Sequence, residues 1–326
     1  MRAAALGGVL LAAAVLMAAA SARAAEFDAL APGAFVLLGP SLAAAAPPDA
    51  EAGNVGLLVG RDAALLVDTG ASARHGREVL AAARRAADRP VRLALISHGL
   101  PEFLFGAGAL QDAGIPVVAH PRTAALIAER CAICLQRFVE AYGADAMAGS
   151  RVPRPDRLAL GDRSVDLGGR NVELLDFGWA STSGDVAVLD RANGILFAGG
   201  LVVVGRVPLV RDADVTAWIA ALDRIATLPV RRVVPGHGPV VPVEAVAALR
   251  AYLVELDAEV RRLYAAGESL SEAVDGARLP AYEAWAGYAD VHRQNVHYLY
   301  LALERAELDA AASGVQRSKT YLLMEP

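Results

Sequence analysis

The sequence predicts an α/β layered domain, and three observations carry that prediction. Short continuous apolar runs bounded by Gly, Asp and Asn recur along the chain, as in "NVGLLVG", "AALLVDTG" and "VRLALISHG", the pattern of strands buried on both faces. Stretches with apolar residues at helical spacing separate these runs, and the order strands, helix, strands, helix occurs twice. At 55% hydrophobic and 21% charged over 326 residues, the composition is that of a globular chain able to bury a large core.

The first stretch, "MRAAALGGVLLAAAVLMAAASARA", has a cationic start at Arg2, an apolar run to Ala20 and a small-x-small end at Ala22-Arg23-Ala24. This is the anatomy of a secretory leader cleaved after Ala24, although the run approaches the length of an uncleaved anchor. The mature chain is therefore expected to be exported, to a periplasm, without membrane attachment. Residues 25–53 read as an N-terminal segment ending in the linker-like "SLAAAAPPDAEAG", and residues 54–326 as one domain with a helical C-terminal extension.

Within that domain "NVGLLVG" and "AALLVDTG" are two strands, and Ser72 offers an N-cap for a helix through "REVLAAARRAA". "VRLALISHG" and "IPVVAH" follow as strands. "NVELLDFG", "DVAVLD" and "GILFAGG" are three more, the last two joined through "RANG" as a hairpin. Val215, Trp218, Ile219, Leu222 and Ile225 share one helix face, "RRVVPGHGPV" is a strand ending in a Gly-His-Gly turn, and Val296, Leu299, Tyr300 and Leu303 form the apolar face of a closing helix.

A net charge of -5 and a pI near 5.7 provide no basic footprint, and the Arg-Arg pairs are scattered, so nucleic acid is not an expected partner. Two cysteines, Cys131 and Cys134, sit in "ERCAICLQRF". Export makes a short-loop disulfide one reading, free thiols a second and a redox-active pair a third, the last lacking a thioredoxin-like strand-to-helix context.

The chemistry-bearing positions come in a fixed order: Asp68 in "DTG", His98 in "SHGLPEFLFG", Trp179 and Asp185 in "GWASTSGD", Gly200 in "FAGG" and His237 in "PGHG". In order and spacing they resemble the metallo-β-lactamase superfamily, whose metal motifs read H-x-H-x-D-H, G-H-T-x-G-D, F-A-G-D and P-G-H-G. The resemblance implies an αββα four-layer sandwich, here with additional C-terminal helices, and a zinc-dependent hydrolase. The leader, the Cys-x-x-Cys segment and the closing "HRQNVHYLYLALERAEL" helix resemble more finely the exported quinoprotein relay system zinc metallohydrolases. That resemblance implies a periplasmic quinoprotein or electron-transfer partner.

Matched residue by residue, His98 and His237 stand at histidine positions and Glu102 at the loop aspartate. Leu100, Phe103 and Trp179 stand where histidines belong, and Gly200 where the bridging aspartate belongs. Leucine, phenylalanine and tryptophan cannot ligate zinc, which needs three protein donors beside its water. No cofactor is therefore expected. Two functions follow as alternatives: a non-catalytic binding or accessory protein, or a hydrolase of ester, lactam or thioester bonds with a mononuclear site from His98, Glu102 and His237. Asp68 and Asp185, at strand ends, are expected to hydrogen-bond backbone amides or hold His98. Leu100, Phe103 and Trp179 are expected to line one apolar cleft, either filled by side chains or open to a small apolar ligand.

Overall fold

The computed structural model describes residues 25–39, 52–158 and 161–322, so the expected leader lies outside the described residues. The first sheet takes its strands in chain order: β1 (Asp28–Ala31), β2 (Ala34–Leu37), β3 (Val55–Val59), β4 (Ala64–Val67), β5 (Val91–Ile96), β6 (Val117–Ala119) and β7 (Arg157–Leu158). The first four are antiparallel, and from β4 onward the pairings are parallel. Parallel neighbours need crossover helices. These are α1 (Ala73–Ala86), the short pair α2 (Pro101–Leu104) and α3 (Ala107–Asp112), and α4 (Pro121–Tyr142). Within the N-terminal segment, β1 and β2 extend the sheet at its antiparallel edge.

The second sheet holds β8 (Arg163–Asp166), β9 (Asn171–Gly178), β10 (Asp185–Asp190), β11 (Ile195–Val203), β12 (Arg232–His237) and β13 (Val241–Pro242). Its one parallel pair, β11 with β12, is joined by α5 (Val215–Thr227). After it come α6 (Val246–Ala265), α7 (Leu270–Gly276) and α8 (Arg293–Leu322).

Alternation along the strands shows why the sheets stack in four layers. On β4, Leu65 and Val67 face the second sheet while Ala64 and Leu66 face α1 and its neighbours. On β11, Ile195 and Phe197 meet the first sheet, and Leu196 and Ala198 meet the helices α5 and α6. These two strands are buried on both faces, so each reads as an unbroken apolar run rather than an alternating one. The result is helix layer, sheet, sheet, helix layer. Among the described residues no helix is long and apolar enough to cross a membrane.

The elements that carry the site follow from local chemistry. Ser72 caps α1 by accepting from His75 N at 3.1 Å. His120 Nδ1 accepts from Arg122 N at 3.1 Å to cap α4, with Pro121 at the first helical position. Cys131 and Cys134 therefore lie inside a helix that follows a strand, well beyond its first turn.

Asn54, buried at the start of β3, joins the halves of the molecule. Its Nδ2 donates to Pro235 O at 2.8 Å and Gly238 O at 2.9 Å, its Oδ1 accepts from Gly39 N at 2.8 Å, and its own N donates to Gly236 O. The turn that presents His237 is held by this one amide. Asn54→Ala leaves buried carbonyls without donors and is expected to lower unfolding free energy by about 2 to 4 kcal/mol, read by urea denaturation.

Candidate functional site

The site lies where the loops after β5 and β12 approach each other. β5 ends at Ile96, and Ser97 and His98 follow directly before the chain turns into α2. Pro101 starts that helix, which buries Phe103 and Leu104 and leaves Glu102 partly accessible. The main chain at Phe103 is pinned by Thr69, whose N and Oγ1 both donate to Phe103 O, at 3.0 and 2.8 Å.

Phe103 occupies the centre of the site. Its ring rests on both histidines, with centroid separations of 4.3 Å to His98 and 5.1 Å to His237. A methyl group placed on Gly53 would fall 1.8 Å from Phe103 Cε1, so glycine at 53 is required by the ring. Gly200 has a matching role, since a Cβ there would lie 2.4 Å from His98 Cδ2. An aspartate at position 200 has no room while His98 is packed there.

His98 is fully buried, and its neighbours fix its tautomer. Gly200 N donates to Nδ1 at 3.2 Å, so Nδ1 carries its lone pair and the ring proton sits on Nε2, which has no partner. Ser97 Oγ lies 2.7 Å from Nδ1 and 2.8 Å from Asp68 Oδ2, leaving one hydroxyl proton for two acceptors. That proton goes to Asp68 Oδ2. Burial pushes Asp68 up from 3.8 to about 7, against hydrogen bonds from Ser97, and burial likewise takes His98 down to about 3. Asp68 also adopts a left-handed backbone, φ 68°, which Ser97 N holds through a 2.9 Å bond to Oδ1.

His237 and Glu102 form a separate pair, Nε2 to Oε1 at 3.2 Å. Burial pushes the Glu102 carboxyl up, but His237 outweighs it through the hydrogen bond and its charge, leaving the group below its ordinary value. Of the three residues in the alternative mononuclear site, His237 and Glu102 thus bind each other, and the Phe103 ring packs against His98.

Asp185 is a fastening of the loop before β10. It accepts from Ser181 Oγ at 2.6 Å, Thr182 N at 2.8 Å and Ala180 N at 3.3 Å, and Thr182 Oγ1 in turn accepts from Gly99 N at 3.2 Å. Trp179 corrects the expectation of a shared apolar cleft. It is 48% exposed, with Nε1 donating to Asp212 O at 2.8 Å, and it lines no cavity with Leu100.

A zinc centre does not fit these residues. Among the described residues no three His, Cys, Asp or Glu side chains come together as a metal-holding group. The space between the histidines is aromatic, and His98 Nε2 has no hydrogen-bond partner among the described residues.

What is open lies next door. A cavity of about 490 Å³ has Leu100, Glu102 and His237 in one wall, and α4, the segment Val203–Arg211 and the start of α8 in the others. Its body is apolar, from Leu100, Phe138, Val203, Val207 and Leu209, and four arginines line it, Arg130, Arg137, Arg206 and Arg211. The motifs did not reveal it, since none of its arginines belongs to one. Cys134 also lines it, and both cysteines are free thiols.

Residues 48–237 match the family described as Metallo-beta-lactamase superfamily. The chain belongs to that superfamily. Similar solved structures include a metallo-beta-lactamase from Pontibacter korlensis, 22% identical, covering 70% of this chain and 98% of that one with a TM-score of 0.58. FIM-1 from Pseudomonas aeruginosa in its mono-zinc form is 20% identical over 71% of this chain and 95% of its own, TM-score 0.55. The DIM-1 metallo-beta-lactamase exposed to ceftazidime is 16% identical over 70% and 96%, TM-score 0.55. Among curated proteins none matches the chain in sequence. These likenesses concern the fold.

Phe103→Ala empties the centre of the site and is expected to cost about 3 to 5 kcal/mol of stability in urea denaturation. Asp68→Asn tests the proton arrangement. A folded carboxyl whose pKa is raised binds its proton more tightly than the unfolded chain does, so the wild type loses stability as pH climbs from 3.8 towards 7. Asparagine is neutral throughout that window and lacks that loss. The stability of the variant relative to wild type is expected to rise by up to about 4 kcal/mol between the acidic and alkaline ends of that window, measured as a series of denaturation midpoints.

Proposed function

We propose that this member of the superfamily is a non-catalytic binding or accessory protein, exported to the periplasm, that takes a small ligand in the arginine-lined cavity beside its former metal centre. The observation that carries this reading is the Phe103 ring seated against both His98 and His237. A site filled by an aromatic side chain has no place for a metal-bound water. The neighbouring cavity supports the binding half of the reading, because an apolar body with a few charged groups at about 490 Å³ is the usual build of a small-molecule pocket.

Export rests on the leader-like stretch ending at Ala24. The proposed partner, a quinoprotein or electron-transfer system, rests on the likeness of the Cys-x-x-Cys segment and the closing helix to the exported quinoprotein relay branch. The competing reading, a mononuclear hydrolase of ester, lactam or thioester bonds, requires His237 Nε2 to leave Glu102 and Phe103 to vacate the centre. Its metal would need His98, Glu102 and His237 as a set, and they are not one here.

Metal content decides between the two. Mature protein purified without chelator and then titrated with zinc is expected to retain less than about one zinc per ten chains by elemental mass spectrometry, unchanged when His98 and His237 are both replaced by alanine. One zinc per chain, lost in that double variant together with hydrolysis of an ester, lactam or thioester, would overturn the proposal.

A further inference from the structure

The cavity carries a feature that binding alone does not use. Cys131 and Cys134 are three apart on α4, so both thiols lie on one helix face. Cys131 is buried at 1%, whereas Cys134 is half-buried and lines the cavity. Around Cys134 stand Arg130 and Arg137 of the same helix and Arg211 of the facing segment. Arg130 and Arg211 share a single carboxylate, Asp212, and Arg137 has no carboxylate partner among the described residues. Cationic charge therefore exceeds anionic charge at this rim, and the nearest opposing carboxylate in the wall, Glu102, is tied to His237.

We infer that Cys134 and Cys131 form a thiol–disulfide exchange site for small disulfides that carry carboxylates on an apolar body. The Cys134 thiol donates to Arg130 O at 3.4 Å, and the neighbouring Cys131 thiol, with Arg211 and Arg137 and against burial, brings it down to about 7, while Cys131 is pushed far up by Cys134 and by burial. The two thiols thus have different roles. Cys134 attacks as thiolate: its sulfur bonds to one sulfur of the disulfide, the S–S bond breaks, and the first organic thiolate leaves with the electron pair. Cys131 then loses its proton to that thiolate or to solvent and attacks the Cys134 sulfur. The Cys131–Cys134 bond forms and the second organic thiolate departs. The dithiol is oxidised by two electrons and the small disulfide is reduced to two thiols. The arginines hold the carboxylates and the apolar wall takes the body.

The site does not depend on the metal question, so it stands or falls apart from the reading above. The test uses freshly reduced mature protein and two probes, DTNB, an aromatic disulfide bearing two carboxylates, and dithiodipyridine, which is neutral, each rate normalised to glutathione at the same pH. Cys134 is expected to favour the anionic probe by about 10-fold after normalisation, the scale of electrostatic focusing. Wild type is expected to release two thiolate equivalents per chain, the second slowly. Cys131→Ser should release one and retain a mixed disulfide by intact mass, and Cys134→Ser should lose the fast phase. Replacing Arg137 and Arg211 by alanine should bring the preference between probes close to parity. A wild-type preference at parity, a fast phase surviving in Cys134→Ser, or a stable mixed disulfide in wild type with no second release would overturn the proposal.

Discussion

The site is organised by one packing constraint: the ring of Phe103 must sit against His98, His237 and the bare backbone of Gly53 at once. Loops from the two halves of the chain approach each other here, and an apolar wedge joins them where the family pattern has metal ligands. The other departures then read as parts of a single packing solution. With His98 lying over Gly200, a carboxylate at position 200 would collide with the imidazole. Leu100 turns to the cavity wall. The residual cost is visible as His98 Nε2, a buried N–H with no acceptor.

Polar groups around the wedge hold its loops in place. Asp68, Ser97 and His98 form one chain of hydrogen bonds, Asp185 fastens the loop before β10, and Asn54 fastens the turn of His237 to the start of β3. Each of these residues satisfies backbone or hydroxyl groups that would otherwise be buried unpaired, so each has a reason to persist that is independent of metal binding.

Much of this was legible in the sequence, and the limits have physical causes. Strands buried on both faces are unbroken apolar runs, so β3, β4, β5, β10 and β11 were readable directly, as was the Ser72 cap. The four-residue strands β1 and β2 were not, because an edge pair in an alanine-rich segment shows too short a pattern to stand out. Motif order placed Trp179 at the right point in the chain, but chain order does not fix where a side chain points, and the indole turns out to Asp212. The cavity was invisible for a related reason: α4, the segment Val203–Arg211 and α8 are brought together only by tertiary packing.

Glu102 and His237 line the open cavity, and His237 also packs against the Phe103 ring. Their mutual hydrogen bond holds Glu102 in its charged form, so the inner wall offers a carboxylate already engaged with an imidazole and repels a second anion. The arginines stand on the other walls, with Asp212 balancing part of their charge. A ligand with an apolar body and an anionic end therefore has one favourable direction: anionic end towards Arg137 and Arg211, and body along Val203, Val207 and Leu100. In that orientation its charged end lies beside Cys134 of α4.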